Sequence, residues 1–133
     1  MKKQDSYVHY MTTASELDQR GIICTTVGYQ TILPHQNYPP VGSHPEGYYF
    51  QKGYGRRLPE YQVVYIAEGN GFFESEHVKR QYVSAGQCFL LFPNEWHEYA
   101  PSRESGWKEY WVGFRGKFAC QFVEEMMLST ENP

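Results

Sequence analysis

Between Trp107 and Phe114 the chain reads Trp-Lys-Glu-Tyr-Trp-Val-Gly-Phe. Taken as a strand, this stretch puts Trp107, Glu109 and Trp111 on one face and Lys108, Tyr110, Val112 and Phe114 on the other, because successive side chains alternate. Two indoles around one carboxylate suit a small polyol or an aromatic ligand. The rings stack on the C–H face of a sugar or on a planar ring, and the carboxylate accepts from hydroxyls. The same three residues would serve equally as two core indoles and a surface charge. Just upstream, Trp96-His97-Glu98-Tyr99 adds two hydrogen-bonding rings, His97 and Tyr99. Arg56 and Arg57 precede an apolar run, where either could fork onto a ligand hydroxyl or carboxylate or stand as a solvated turn charge.

Other chemistries are poorly supported. The five histidines, His9, His35, His44, His77 and His97, include no His-x-His pair. Metal sites draw several ligands from closely spaced positions, so no metal and no cofactor is expected. His77 is expected to point to solvent from a turn. Cys88 has apolar neighbours, which raise a thiol pKa rather than activate it. Neither a Gly-x-Ser-x-Gly elbow nor a glycine-rich phosphate loop occurs. The expectation is a binding protein, not an enzyme.

The elements that must position these residues read as strands. Aromatics make up 17% of the 133 residues, and 20 glycines and prolines punctuate the chain, a composition that favours strands and turns over helices. Ala85-Gly86 launches an apolar strand, Cys88 to Phe92, which Pro93-Asn94 stops ahead of the Trp-His-Glu-Tyr turn. Gly21 to Val27 is a β-branched strand. Tyr61 to Ala67 is apolar on both faces and is expected to be buried on both. Glu68-Gly69-Asn70-Gly71 reads as a hairpin turn. Residues 34–47 hold four prolines and form a loop carrying His35, Tyr38 and His44, and Tyr48 to Phe50 reads as a short strand. From Lys117 to Leu128 the period changes: Phe118, Ala119, Phe122, Val123, Met126 and Met127 mark one face of an amphipathic helix, which caps the barrel or contributes to a dimer interface.

One domain is expected, divided into an N-terminal arm (1–20), a barrel (21–115) and a C-terminal helix (116–133). The net charge of −3 and scattered basic residues offer no footprint for a phosphate backbone. No apolar run is long enough for a membrane span and no signal peptide is visible, so a cytoplasmic location without membrane contact is expected. The three cysteines, Cys24, Cys88 and Cys120, read as reduced thiols packed as small apolar groups.

Four pieces in order resemble the N-terminal effector domain of AraC/XylS-type transcription regulators. They are the Pro-rich Tyr38-Pro39-Pro40 to Phe50 with Gly55-Arg56-Arg57-Leu58, then Tyr61 to Gly71, then Ala85 to Tyr99 with its Leu-Phe-Pro-x-x-Trp-His-x-Tyr, and finally Gly106 to Phe114. The resemblance implies a mainly β fold, a cupin-type double-stranded β-helix (jelly-roll) barrel, with a sugar or related polyol bound inside. It implies a homodimer formed through helices that follow the barrel, and DNA binding only through two helix-turn-helix motifs that would follow residue 133. Carried over, the ligand-binding positions are His44, Arg56, Tyr99, Glu109 and Trp111, with His97 in a structural or hydrogen-bonding role. In the arabinose-responsive member the arm folds over the sugar, and residues 1–20 are the equivalent here. That member has a histidine where Glu109 stands, so the resemblance does not carry over the same sugar. A cupin-type enzyme and a free-standing carbohydrate-binding module are the alternatives.

Overall fold

The computed structural model describes residues 5–11, 21–38, 55–126, 128–131 and 133. Among them the order is β1 (Ser6–Tyr10), β2 (Ile23–Ile32), β3 (Tyr61–Ser75), β4 (Gln81–Ser84), β5 (Cys88–Leu91), β6 (His97–Pro101), β7 (Trp107–Arg115) and α1 (Lys117–Glu125). The strand pairings are antiparallel, so the mainly β fold is as expected. Residues 6–10, read as part of an arm, form β1 on the edge of the sheet beside β2.

β3 is the spine. Its first half lies between β5 and β7, and its second half lies between β4 and β6. The expected hairpin at Glu68–Gly71 is corrected: the strand runs straight through it. Gly69 takes a φ of 82°, which glycine adopts without a Cβ clash. A register shift against β7 between Ile66 and Glu68 marks a bulge there. The combination bends the strand into a second sheet instead of reversing it. Gly71 sits where the two sheets cross, and a Cβ there would strike the Ala100 carbonyl, the Pro101 backbone and the Trp107 ring.

Alternation then fills the interior. Val64, Ile66, Phe73, Phe89, Leu91, Tyr99, Trp107 and Trp111 form one cluster, with the Phe73 and Phe89 rings stacked at 4.5 Å. A second cluster forms on the outer face, where Ala119 and Val123 of α1 cover Tyr61 and Leu90, flanked by Phe92 and Phe114. Each large apolar side chain removed from water contributes about 1.5–3 kcal/mol.

Three sequence expectations are corrected here. The outward face of β3 is not buried: Val63 and Tyr65 are 39% and 42% exposed, because α1 is too short to cover them. α1 ends at Glu125, and among the described residues of its expected apolar stripe only Ala119 and Val123 are buried. Phe118, Phe122 and Met126 are exposed. Cys88 and Cys120 are exposed rather than packed. The expected strand at Tyr48–Phe50 lies outside the described residues.

Gly71→Ala should destabilise the fold by about 2–4 kcal/mol, because backbone rather than a flexible tip blocks the new methyl. Gly86→Ala meets no atom within 4 Å, though its φ is 89°, so it should cost only about 1–2 kcal/mol. Urea denaturation of the two variants checks the order, and the reverse order would contradict the crossing described here.

Candidate ligand-binding site

β7 supplies the inner wall its alternation predicts: Trp107, Glu109 and Trp111 are buried, while Lys108, Tyr110 and Val112 face out. Glu109 is 3% exposed and is therefore not a surface charge. Tyr38, from the segment after β2, donates its hydroxyl to the Glu109 carboxyl at 2.9–3.0 Å. The Tyr38 ring meets Trp107 edge-on at 5.8 Å and Tyr99 at 6.2 Å. Trp111 donates its indole N–H to Thr26 Oγ1 at 3.3 Å.

Arg56 organises the opposite side. Its backbone N–H donates to the His97 carbonyl at 2.9 Å, and the His97 N–H returns to the Arg56 carbonyl at 3.0 Å. That bridge aims the guanidinium inward. Nε donates to His97 Nε2 at 2.9 Å, and a terminal nitrogen donates to the Tyr99 hydroxyl at 2.6 Å. Its neighbour Arg57 points the other way, pairing with Glu76 and donating to the Asn94 carbonyl. Of the two arginines, Arg56 is therefore the one in the site.

His97 is 1% exposed. With Nε2 accepting from Arg56, Nδ1 donates to the Glu95 carbonyl at 3.2 Å. Burial, helped by the Arg56 charge, lowers its pKa to about 3, so the ring is neutral and holds Arg56 in place. His77 is exposed, as expected, and its Nδ1 pairs with the buried Glu95 at 2.9 Å. Burial raises the pKa values of both Tyr38 and Tyr99, which keeps their hydroxyls protonated. Burial pushes Glu109 up to about 7, against the lowering pull of Tyr38, Arg56 and Trp107.

Sequence reasoning missed Gln30 and the role of Tyr38, and it put Trp107 on the ligand-facing wall without foreseeing its unpaired N–H. Gln30 stands opposite Glu109 across the β2–β7 ladder and is 3% exposed, with no partner for Oε1. Trp107 Nε1 approaches the Glu109 carboxyl closely enough to lower its pKa, but short of hydrogen-bond geometry, and it too lacks a partner. Tyr38 was read only as a loop residue. The signal for Gln30 was present: extending the β2 alternation past Val27 puts Thr26, Gly28, Gln30 and Ile32 on one face. His44 lies outside the described residues.

The site thus combines four aromatic rings, a carboxyl group, and one unpaired donor and one unpaired acceptor. Buried polar atoms without partners are costly, and a hydroxyl-bearing ligand could satisfy both. Among the described residues no three His, Cys, Asp or Glu side chains converge, and the inward nitrogen of His97 faces the Arg56 cation.

The two buried ionisable groups have opposite linkages to stability. Glu109 binds its proton more tightly when folded, so its contribution is lost as pH rises from 4.5 to about 7. His97 is neutral when folded, so its contribution is gained as pH rises from about 3 to 6.5. Each slope is about 1.4 kcal/mol per pH unit, and the two cancel where they overlap. Glu109→Gln should uncover the His97 slope. Relative to the native chain, the variant should gain stability steadily between pH 4.5 and 7, as read by thermal melts; a constant difference would mean that Glu109 titrates normally.

Comparison with solved structures supports the fold. The YhaK protein of Escherichia coli superposes with a TM-score of 0.54 at 12% identity, covering 85% of this chain, which spans only 45% of YhaK. The cupin domain of Schizosaccharomyces pombe Cnp3 gives 0.50 at 5% identity, covering 96% of this chain and 76% of that one. A Cupin 2 conserved barrel domain protein of Salinispora arenicola gives 0.47 at 15%, covering 90% and 84%. The barrel is a cupin-type double-stranded β-helix. No curated protein matches the chain in sequence. The AraC-like ligand-binding-domain profile matches residues 42–133, 92 of the 133 residues, which is well over half, and the chain accordingly belongs to the AraC-like ligand-binding domains.

Proposed function

We propose that the barrel binds a small neutral sugar or related polyol and is the sensing part of a cytoplasmic transcription regulator. In this reading the chain acts as a homodimer, performs no catalysis, and touches DNA only through an attached helix-turn-helix domain. The observation that carries the ligand class is the buried Glu109 carboxyl flanked by the unpaired Gln30 Oε1 and Trp107 Nε1. A hydroxyl both donates and accepts, so adjacent hydroxyls would satisfy all three groups, while the surrounding rings stack on C–H faces. Arg56 is engaged with His97 and Tyr99, which leaves the carboxyl of Glu109 to set the preference for neutral over acidic sugars. Regulation further requires that the ligand favour one conformation over another.

Thermal-shift screening over neutral sugars, polyols and uronic acids tests this. A neutral hit at a hundred times its Kd should stabilise the fold by about 2.7 kcal/mol. Trp107→Phe, which keeps a ring and removes the N–H, should weaken that ligand about tenfold, and Glu109→Gln should weaken it at least as much. Binding indifferent to both substitutions would sink the assignment, as would a preference for uronic acids that Glu109→Gln leaves unchanged.

A further inference from the structure

Two segments at one end of the barrel wall in a groove. After β2 the chain runs Leu33-Pro34-His35-Gln36-Asn37-Tyr38, and β6 leads into Ser102-Arg103. Proline has its φ fixed and suits the first corner of a tight turn. His35 makes the second corner, with a left-handed φ of 67°. The Gln36 N–H closes the turn on the Leu33 carbonyl at 3.1 Å, and the His35 N–H donates to the Arg103 carbonyl at 2.8 Å. That second bond ties the two segments together and fixes the groove between them.

The groove has a volume of about 430 Å³, within the roughly 300–1,000 Å³ of small-molecule sites. Its floor is aromatic and is shared with the site already described. Tyr38 and Tyr99, their rings 6.2 Å apart, line it together with Ile32. The same Tyr38 donates its hydroxyl to Glu109, and the same Tyr99 accepts from Arg56. A single tyrosine side chain therefore spans from the groove to the Glu109 carboxyl.

The rim is polar on both sides. Gln36 and Asn37 stand on one, Ser102 and Arg103 on the other. Gln36 Oε1 accepts from the Leu33 N–H at 2.9 Å, which orients the amide and leaves its NH2 end to donate. Asn37 and Ser102 donate and accept, and Arg103 donates. Glu98, also in the wall, carries the charge opposite to Arg103, so the pair favours a neutral occupant over an ion. Rings below and mixed donors and acceptors around them match a sugar ring, whose C–H face stacks and whose hydroxyls bond in both senses. An alkyl tail would use the floor and none of the rim.

We propose that this groove is a second sugar subsite, so that the ligand is a disaccharide or longer glycoside with one ring toward Glu109 and the next between Gln36 and Arg103. The inner ring rests on the sensing reading above; the outer ring rests on the groove alone. Two linked rings in adjacent subsites reinforce each other, because the second is delivered by the first.

Isothermal titration with neutral pentoses and hexoses, and with the disaccharides built from them, tests this. At least one disaccharide should bind about tenfold or more tighter than either of its component sugars. Arg103→Ala and Asn37→Ala, both at exposed positions, should each weaken that disaccharide about fivefold or more and leave the component sugar unchanged. The second variant keeps the test open if the first fails to fold. Disaccharides that bind no tighter than their components overturn the subsite; a component sugar that still responds to Glu109→Gln then leaves the sensing reading standing. A disaccharide weakened by the groove variants but indifferent to Glu109→Gln and Trp107→Phe does the reverse. Groove variants that weaken both sugars equally overturn the subsite, and a chain that binds no sugar of either length overturns both.

Discussion

A carboxyl group withdrawn from water sets the terms for the interior of this barrel. Glu109 sits mid-strand on β7, and its burial must be offset by hydrogen bonding or by retaining a proton. Tyr38 supplies the hydrogen bond. Arg56 supplies a counter-charge at longer range while bonded to Tyr99 and His97. His97 can accept from that cation only because burial keeps it neutral. The chain of groups thus runs from a carboxyl on β7 to a carbonyl at Glu95, and each member fixes the protonation or orientation of the next. Buried polar networks are favourable only when complete, and this one is incomplete at Gln30 and Trp107.

The frame around the network depends on β3. A strand that belongs to two sheets brings β7 and β6 to opposite sides of the barrel interior without a long connection. The bend requires glycine at 69 for its φ and at 71 for its lack of bulk. Without it, Tyr99 on β6 and Glu109 on β7 would lie on a flatter, more distant surface.

Much of this was legible from alternation. The β7 pattern placed Trp107, Glu109 and Trp111 on one wall, where they stand, and the strand entering the Trp-His turn is β5. Burial of Glu109 was not legible, because a lone carboxylate in a strand is equally consistent with solvent. The partners that decide the matter come from residues 71 and 79 positions away in the chain, Tyr38 and Gln30. Glu68-Gly69-Asn70-Gly71 has the composition of a turn but serves as a bend, since glycine permits both and only the ladder with β6 and β4 selects between them. The two faces of β3 read alike because hydrophobicity reports a preference for burial and not the partner that provides it.

β7 has one further consequence, which concerns how such a domain can diversify. Its odd-numbered positions from 107 to 111 face the barrel interior, and its even-numbered positions face outward. Point substitutions can therefore rewrite one set while leaving the other intact, as two messages interleaved in one strand. A single inserted or deleted residue exchanges the two sets along the remainder of the strand. Selection on such a strand should accept substitution readily and reject changes of length, so that the interior can be recast while the outer face is kept.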